Sequence, residues 1–269
     1  MFNVYGGCPN QGTGIGDLES EQMALVSDPR SPFPDCDFAC IERLTMYLKM
    51  IVRISLSLVL SLSAMGVVAT AQAETTLEAS IHELHHQWAV SRYQKPVNKR
   101  AENFVPLIEK AQRLADRFEG RAEPLIWKAI LLTSYADAIE NLESLAKVKE
   151  ARDLLLRAIE IDETALDGFG YIMLGILYDR APGWPLSIGD NDKARVYLEK
   201  GLSMRPDDID ANYFYGRFLR DEGEYEQASI YLEKALRSSA SPEQPVADAG
   251  RRKDIMEALA KTREKLAGL

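Results

Sequence analysis

The residues best equipped for chemistry are His82-Glu83-Leu84-His85-His86, a literal H-E-x-x-H. On a helix His82 and His86 fall on one face, one turn apart. They could share a zinc ion, with Glu83 as general base and Glu102 or Glu109 as a third ligand. That pattern is the entry to a zinc peptidase. The competing reading is the polar side of an amphipathic first helix, with Leu84, Trp88 and Val90 packing nearby. A metallopeptidase needs a shaped cleft and usually a strand to hold substrate, and no stretch here has strand periodicity. The second reading is the stronger, so no catalytic residue, no metal and no cofactor is expected.

The elements that must carry these residues begin with a targeting segment. From Met46 the chain reads MYLKMIVRISLSLVLSLSAMGVVATAQAE. Lys49 and Arg53 make a basic start, Ile54 to Val68 an apolar stretch, and Ala71-Gln72-Ala73 an A-x-A cut site. The apolar stretch is short of the roughly 20 residues of a spanning helix. It reads as a cleaved secretory signal. The expected mature chain therefore runs from Glu74 to Leu269 in the periplasm, with no membrane span. Residues 1–45 show no helical or strand period and read as a leader, with translation beginning at Met46 or Met50. The Gly12–Gly16 run there is no phosphate loop, since no strand precedes it and no helix follows. All three cysteines (Cys8, Cys36, Cys40) lie in that leader, so the mature protein has no disulfide or thiolate site.

Composition is that of a folded chain, 46% hydrophobic and 27% charged. A net charge of −9 argues against a nucleic-acid partner, which needs a basic field.

Beyond Glu74 glycine and proline are sparse inside apolar segments of helical spacing, so helices are expected nearly throughout. These segments repeat. Tyr171-x2-Leu174-Gly175-x2-Tyr178 leads to Ala194-x3-Leu198-x2-Gly201 and Pro206. Tyr215-Gly216-x2-Leu219 leads to Gly223, Tyr225 and Ala228-x3-Leu232-x2-Ala235. A weaker copy has Ala129 and Leu132, then Ala151-x3-Leu155-x2-Ala158. The pattern resembles the tetratricopeptide repeat, a 34-residue pair of antiparallel helices in which small residues mark close helix contacts. The resemblance covers about 121–239 and implies an all-α solenoid of about three repeats. Residues 74–120 read as a preceding helix pair (Ile81–Tyr93 and Val97–Phe118). Residues 240–269 read as a charged capping helix with Ile255, Leu259 and Leu266 on one side.

Asp179–Asp190 (DRAPGWPLSIGD) is about seven residues longer than a plain repeat allows between its helices. With the signal peptide and the repeats, this loop also resembles the periplasmic T component of TRAP transporters. That likeness implies an accessory protein holding a small apolar-acidic ligand for solute uptake. In the loop, Trp184 is either a plug between neighbouring helices or a lid over a groove, and packing is the stronger reading because an indole exposed amid Pro and Gly is costly. Asp190 is expected to cap the next helix.

The tetratricopeptide resemblance also implies that first helices line a concave face, with ligands meeting residues one position beyond the packing set. On this sequence those are Ile126, Ile130, Phe169, Ile172, Ile176, Tyr213, Arg217 and Arg220. They make an apolar floor with an arginine edge, suited to a protein or peptide carrying a carboxylate. Two arrangements stay open: a free groove, or one covered by the inserted segments. The leading expectation is an interaction module, with the ligand-holding transport accessory as the alternative.

Overall fold

The computed structural model describes residues 46–52, 76–139 and 141–268. The signal segment from Ile54, the Ala73 cut site, the glycine run and the three cysteines lie outside the described residues. Residues 46–52 form a short exposed helical run. Among the described residues no strand occurs, and no helix is long and apolar enough to cross a membrane.

The rest of the described chain is all-α. Helix α1 (76–89) continues as a wider π turn, Val90–Gln94, and is followed by α2 (Arg100–Arg117). Three helix pairs come next: α3 (Glu123–Ile139) with α4 (Leu142–Ile161), α5 (Phe169–Arg180) with α6 (Asn191–Met204), and α7 (Ile209–Asp221) with α8 (Tyr225–Arg237). Each pair packs closely along its length, and α9 (Pro245–Ala267) closes the array against α8. Proline is well placed at the first turn of α9, where its missing N–H costs nothing.

The two members of each pair are built differently. The second helices bury only a narrow stripe: Ala151, Leu155 and Ala158 in α4, Ala194, Leu198 and Gly201 in α6, Ala228, Leu232 and Ala235 in α8. The first helices are covered on several sides, with Pro124–Thr133 and Ile172–Tyr178 buried almost without interruption. A small side chain in each stripe lets the backbones approach. A Cβ on Gly175 would stand 3.1 Å from the Leu198 backbone nitrogen, and one on Gly201 3.0 Å from that of Ile172.

Polar residues set the helix starts. Asn141 accepts from Glu143 N at 2.9 Å, Asp190 from Lys193 N at 3.0 Å, and Asp208 from Ala211 N at 2.9 Å. Gly223 ends α7 with φ +84 and nothing within 4 Å of where a Cβ would stand, so handedness alone selects glycine there.

The main core runs from α1 through α8. A second cluster (Tyr213, Leu232, Ala235, Ile255, Ala258, Leu259) joins α7 and α8 to α9. Here Ile255 and Leu259 carry the cap.

Candidate functional site

The first helices of the three pairs present one row of side chains to a common cavity of about 570 Å³. Its floor is Ile130 and Thr133 of α3, Phe169, Met173 and Ile176 of α5, and Tyr213, Phe214 and Arg217 of α7. Helix α1 lies over this floor with Ile81, His85, Trp88 and Arg92, a single helical face at spacings of three and four. The end wall comes from α9 and the turn before it: Gln244, Arg251 and Asp254.

Three contacts fasten α1 and its π extension to α9 and the turn before it. Tyr93 Oη donates to Asp254 Oδ2 at 3.3 Å, Gln244 Nε2 donates to the His82 carbonyl at 3.4 Å, and Arg92 lies 3.9 Å from Asp254. Gly250 packs so closely on the Tyr93 ring that any Cβ would overlap it. The concave face is therefore covered, though by α1 and α9 rather than by the inserted loop.

Of the residues expected on that face, Ile130, Phe169, Ile176, Tyr213 and Arg217 converge on the cavity. Ile126 and Ile172, 1% and 0% exposed, are core instead. They sit on the flank of their helices that meets neighbouring helices, Ile172 against Gly201 and Ile126 beside Gly170. Arg220 also lies outside the lining, its guanidinium on the adjacent Asp221 at 2.6 and 2.9 Å. Trp184 is no plug: it is 89% exposed. The backbone of its loop closes on itself beneath the ring, and Ile188 takes the place in the core.

The H-E-x-x-H segment separates. His82 and His86 are both exposed, and only His82 touches the cavity, at its mouth. Glu83 accepts from Gln87. Glu102 pairs with Lys99 at 3.2 Å and Glu109 with Arg113 at 3.8 Å. Among the described residues no group of three or more metal-ligating side chains converges.

His85 turns inward instead, its ring 5.0 Å from Trp127 and 5.8 Å from Trp88. Burial pushes its pKa down to about 4, against a weaker opposing pull from Asp210, so it is a neutral ring at physiological pH. Burial likewise opposes the charge on Arg251, but Asp210, Tyr93 and Tyr213 outweigh it and hold the guanidinium protonated more firmly than in water. Arg251 pairs with Asp210, lies 3.5 Å from Asp254, and stacks on Tyr213 and Phe214 at 4.7 and 4.6 Å.

At the floor's edge Leu166 and Asp167 have φ +50 and +53, a strained choice for residues with side chains. Arg205 holds this bend, donating to the Leu166 carbonyl at 2.7 Å and lying 3.5 Å from Asp167.

The lining keeps unused hydrogen-bonding capacity. Trp127 Nε1, Arg205 Nε and Gln244 Oε1 are buried with no partner, which is costly unless an occupant meets them. Arg217 and Arg92 make long ion contacts, 3.8 Å to Asp221 and 3.9 Å to Asp254, and lie over the Tyr213 and Tyr93 rings at 5.9 and 5.2 Å. Glu78 and Glu243 stand at the exposed rim. Such a chamber can hold a compact apolar body with an acceptor-rich head.

His85, Trp127, Asp210, Arg251 and Asp254 were not anticipated from sequence. A signal for Arg251 exists: it stands in register with Ile255, Ala258, Leu259 and Thr262 on the buried stripe of α9. His85 likewise shares the face of Ile81 and Trp88.

Residues 186–245 match the family model described as tetratricopeptide repeat, a span that takes in α6, α7 and α8. No curated protein matches the chain. Among solved structures, the crystal structure of MamA is similar over 63% of this chain and 93% of that chain, at 19% identity and a TM-score of 0.36. Repeats of this type build protein-interaction scaffolds.

Proposed function

We propose that this all-α tetratricopeptide protein is a secreted, periplasmic binding module that holds a small apolar-acidic molecule between α1 and the first helices of its repeats. It would serve as an accessory component of solute uptake of the TRAP kind. The observation that carries the reading is the fastening of α1 to α9, which turns an open trough into a chamber of about 570 Å³. Small-molecule sites occupy roughly 300–1,000 Å³, whereas a bound helix needs an uncovered groove. Ile130, Phe169, Met173 and Ile176 would take the apolar body. Arg217 and Arg92, whose carboxylate partners stand 3.8 and 3.9 Å away, would take a carboxylate. No residue is assigned a catalytic role.

A peptide terminus entering the same chamber is the second reading, favoured by the repeat match itself.

Protein recovered from its own periplasm and denatured in the mass spectrometer should release a stoichiometric small molecule. Calorimetry with medium-chain carboxylates and the matching alcohols should show tighter binding of the acids. Met173→Trp, which fills the chamber, should abolish both. Absence of any released molecule, together with no heat from either series, would remove the small-ligand reading. An intact secreted form beginning at Glu74 would support the localisation, and retention in the cytoplasm would remove it.

A further inference from the structure

The chamber walls carry neutral polar groups as well as arginines, and most of them satisfy one another. Trp88 Nε1 donates to Ser134 Oγ at 2.8 Å, Ser134 Oγ donates to the Ile130 carbonyl at 2.9 Å, and Thr133 Oγ1 to the Ala129 carbonyl at 2.8 Å. The charged neighbours Asp210 and Arg251 engage each other. Three groups are left over. Trp127 lines the chamber and is 6% exposed, yet its Nε1 has no acceptor. Gln244, 7% exposed, has an Oε1 with no donor. Between them stands His85, its ring centre 5.0 Å from that of Trp127 and one turn along α1 from His82, whose carbonyl Gln244 Nε2 meets at 3.4 Å. Among the described residues His85 makes no side-chain hydrogen bond.

This corner therefore holds one unmet donor, one unmet acceptor, and a ring that serves as either. Burial keeps the imidazole neutral, so one nitrogen carries a proton and the other a bare lone pair, and the tautomer is free to suit an occupant. Polar atoms shut away from water without partners are costly, and an occupant that meets them removes the cost. An ammonium cannot accept from Trp127. A ketone oxygen cannot donate to Gln244. A hydroxyl does both from one atom.

The corner is remote from the arginines. Arg92 follows His85 by seven residues on the same face of α1, which places it two turns or about 10 Å further along. A carboxylate at Arg92 and Arg217 thus leaves the opposite end of the occupant to the Trp127 corner.

We infer that the chamber selects a medium-chain hydroxycarboxylic acid whose hydroxyl, at the end remote from the carboxylate, is held by Trp127, His85 and Gln244. The assignment rests on the small-ligand reading above and narrows it from carboxylates in general to this class. Ile130, Met173 and Ile176 cover the methylene run between the two polar ends. A site built to bond a hydroxyl discriminates against the analogue lacking it, because its own polar groups are then left unpaired.

The test is calorimetry on the purified protein with decanoate, ω-hydroxydecanoate, α-hydroxydecanoate and the methyl-ketone acid of equal length, with indole N–H spectra of the same samples. The ω-hydroxy acid should bind about 10-fold or more tighter than decanoate. The α-hydroxy acid should show no gain, and the ketone acid should fall between. Of the three indole signals, the one absent from Trp127→Phe should move downfield with the ω-hydroxy acid and far less with decanoate. Trp127→Phe should bind decanoate as wild type does and lose most of the preference for its ω-hydroxy form. Wild type binding decanoate and the ω-hydroxy acid equally, an equal gain from the α-hydroxy or ketone acid, or an unmoved Trp127 signal would each overturn the assignment while leaving a carboxylate-binding chamber in place. No heat from any of the four would remove the chamber reading and the assignment together.

Discussion

The Tyr93 hydroxyl donates to Asp254 Oδ2 at 3.3 Å across 161 positions of sequence. The bond joins the end of the first helical segment to the last helix, and Gly250 makes room for it, since its missing side chain leaves the space the Tyr93 ring occupies. Gly250→Val should therefore push α1 off the floor. The expected cost is that of overpacking, about 1–3 kcal/mol. Hydrogen exchange should quicken in 76–94 and remain slow in α7 and α8; equal protection in both variants would show that the fastening does not hold α1.

Arg251 is the buried cation of the end wall. Arg251→Met leaves Asp210 without its ion-pair partner, while Asp254 keeps Tyr93 and Arg92, and the loss of stability should be about 3–5 kcal/mol. Adding Asp210→Asn should recover part of it, because one uncompensated charge goes. Urea midpoints of the single and double variants measure this; a double variant no better than the single would mean packing on Tyr213 and Phe214, rather than charge, carries the effect.

His85 makes stability depend on pH. Folded, it is held near 4 by burial, below the ordinary 6.5. Between those values the unfolded chain binds a proton that the folded chain refuses. The contribution is complete above about pH 6.5 and is lost as pH falls toward 4, at no more than about 1.4 kcal/mol per pH unit. His85→Phe keeps a ring against Trp127 and should flatten this limb. Denaturation midpoints taken from neutral pH down to about 4.5 decide it, and an unaltered slope in the variant would assign the acid limb to other groups.

Gly175 and Gly216 face Leu198 and Leu232, which stand one repeat length apart at equivalent positions of α6 and α8. A Cβ on either glycine lies 3.1 Å from the backbone nitrogen of the facing leucine. Gly175→Ala and Gly216→Ala should each cost about 1–3 kcal/mol. Gly223→Ala has open space and should cost only its left-handed strain, about 1–2 kcal/mol. Thermal melts compare them; a harmless Gly175→Ala would show that the helix pair tolerates separation.

The repeat was legible because its determinants are local. Ala194, Leu198 and Gly201 touch the helix immediately before them, so their spacing alone announces the contact. The inner row was partly legible for the same reason, and Ile126 and Ile172 were misplaced by one helical flank, a difference that spacing along a single helix does not resolve. The cover was not legible at all. Whether α1 reaches α9 depends on rotation accumulated over three helix pairs, and no short window contains it. Trp184 was misjudged because the cost of an exposed indole was weighed without the closed backbone beneath it. That closure depends on Gly189 tolerating an approach to Ala181 that any other residue would block.

A stacked array ordinarily gains or loses whole units at its ends without harm to the rest, each unit adding a fixed turn. Fastening α1 to α9 withdraws that freedom. One more unit inserted ahead of α9 would swing Gln244, Arg251 and Asp254 out of reach of His82 and Tyr93, and one fewer would drive them together. The number of units in this protein is thereby set by a single handclasp between its ends, and the chamber keeps its dimensions only at that number.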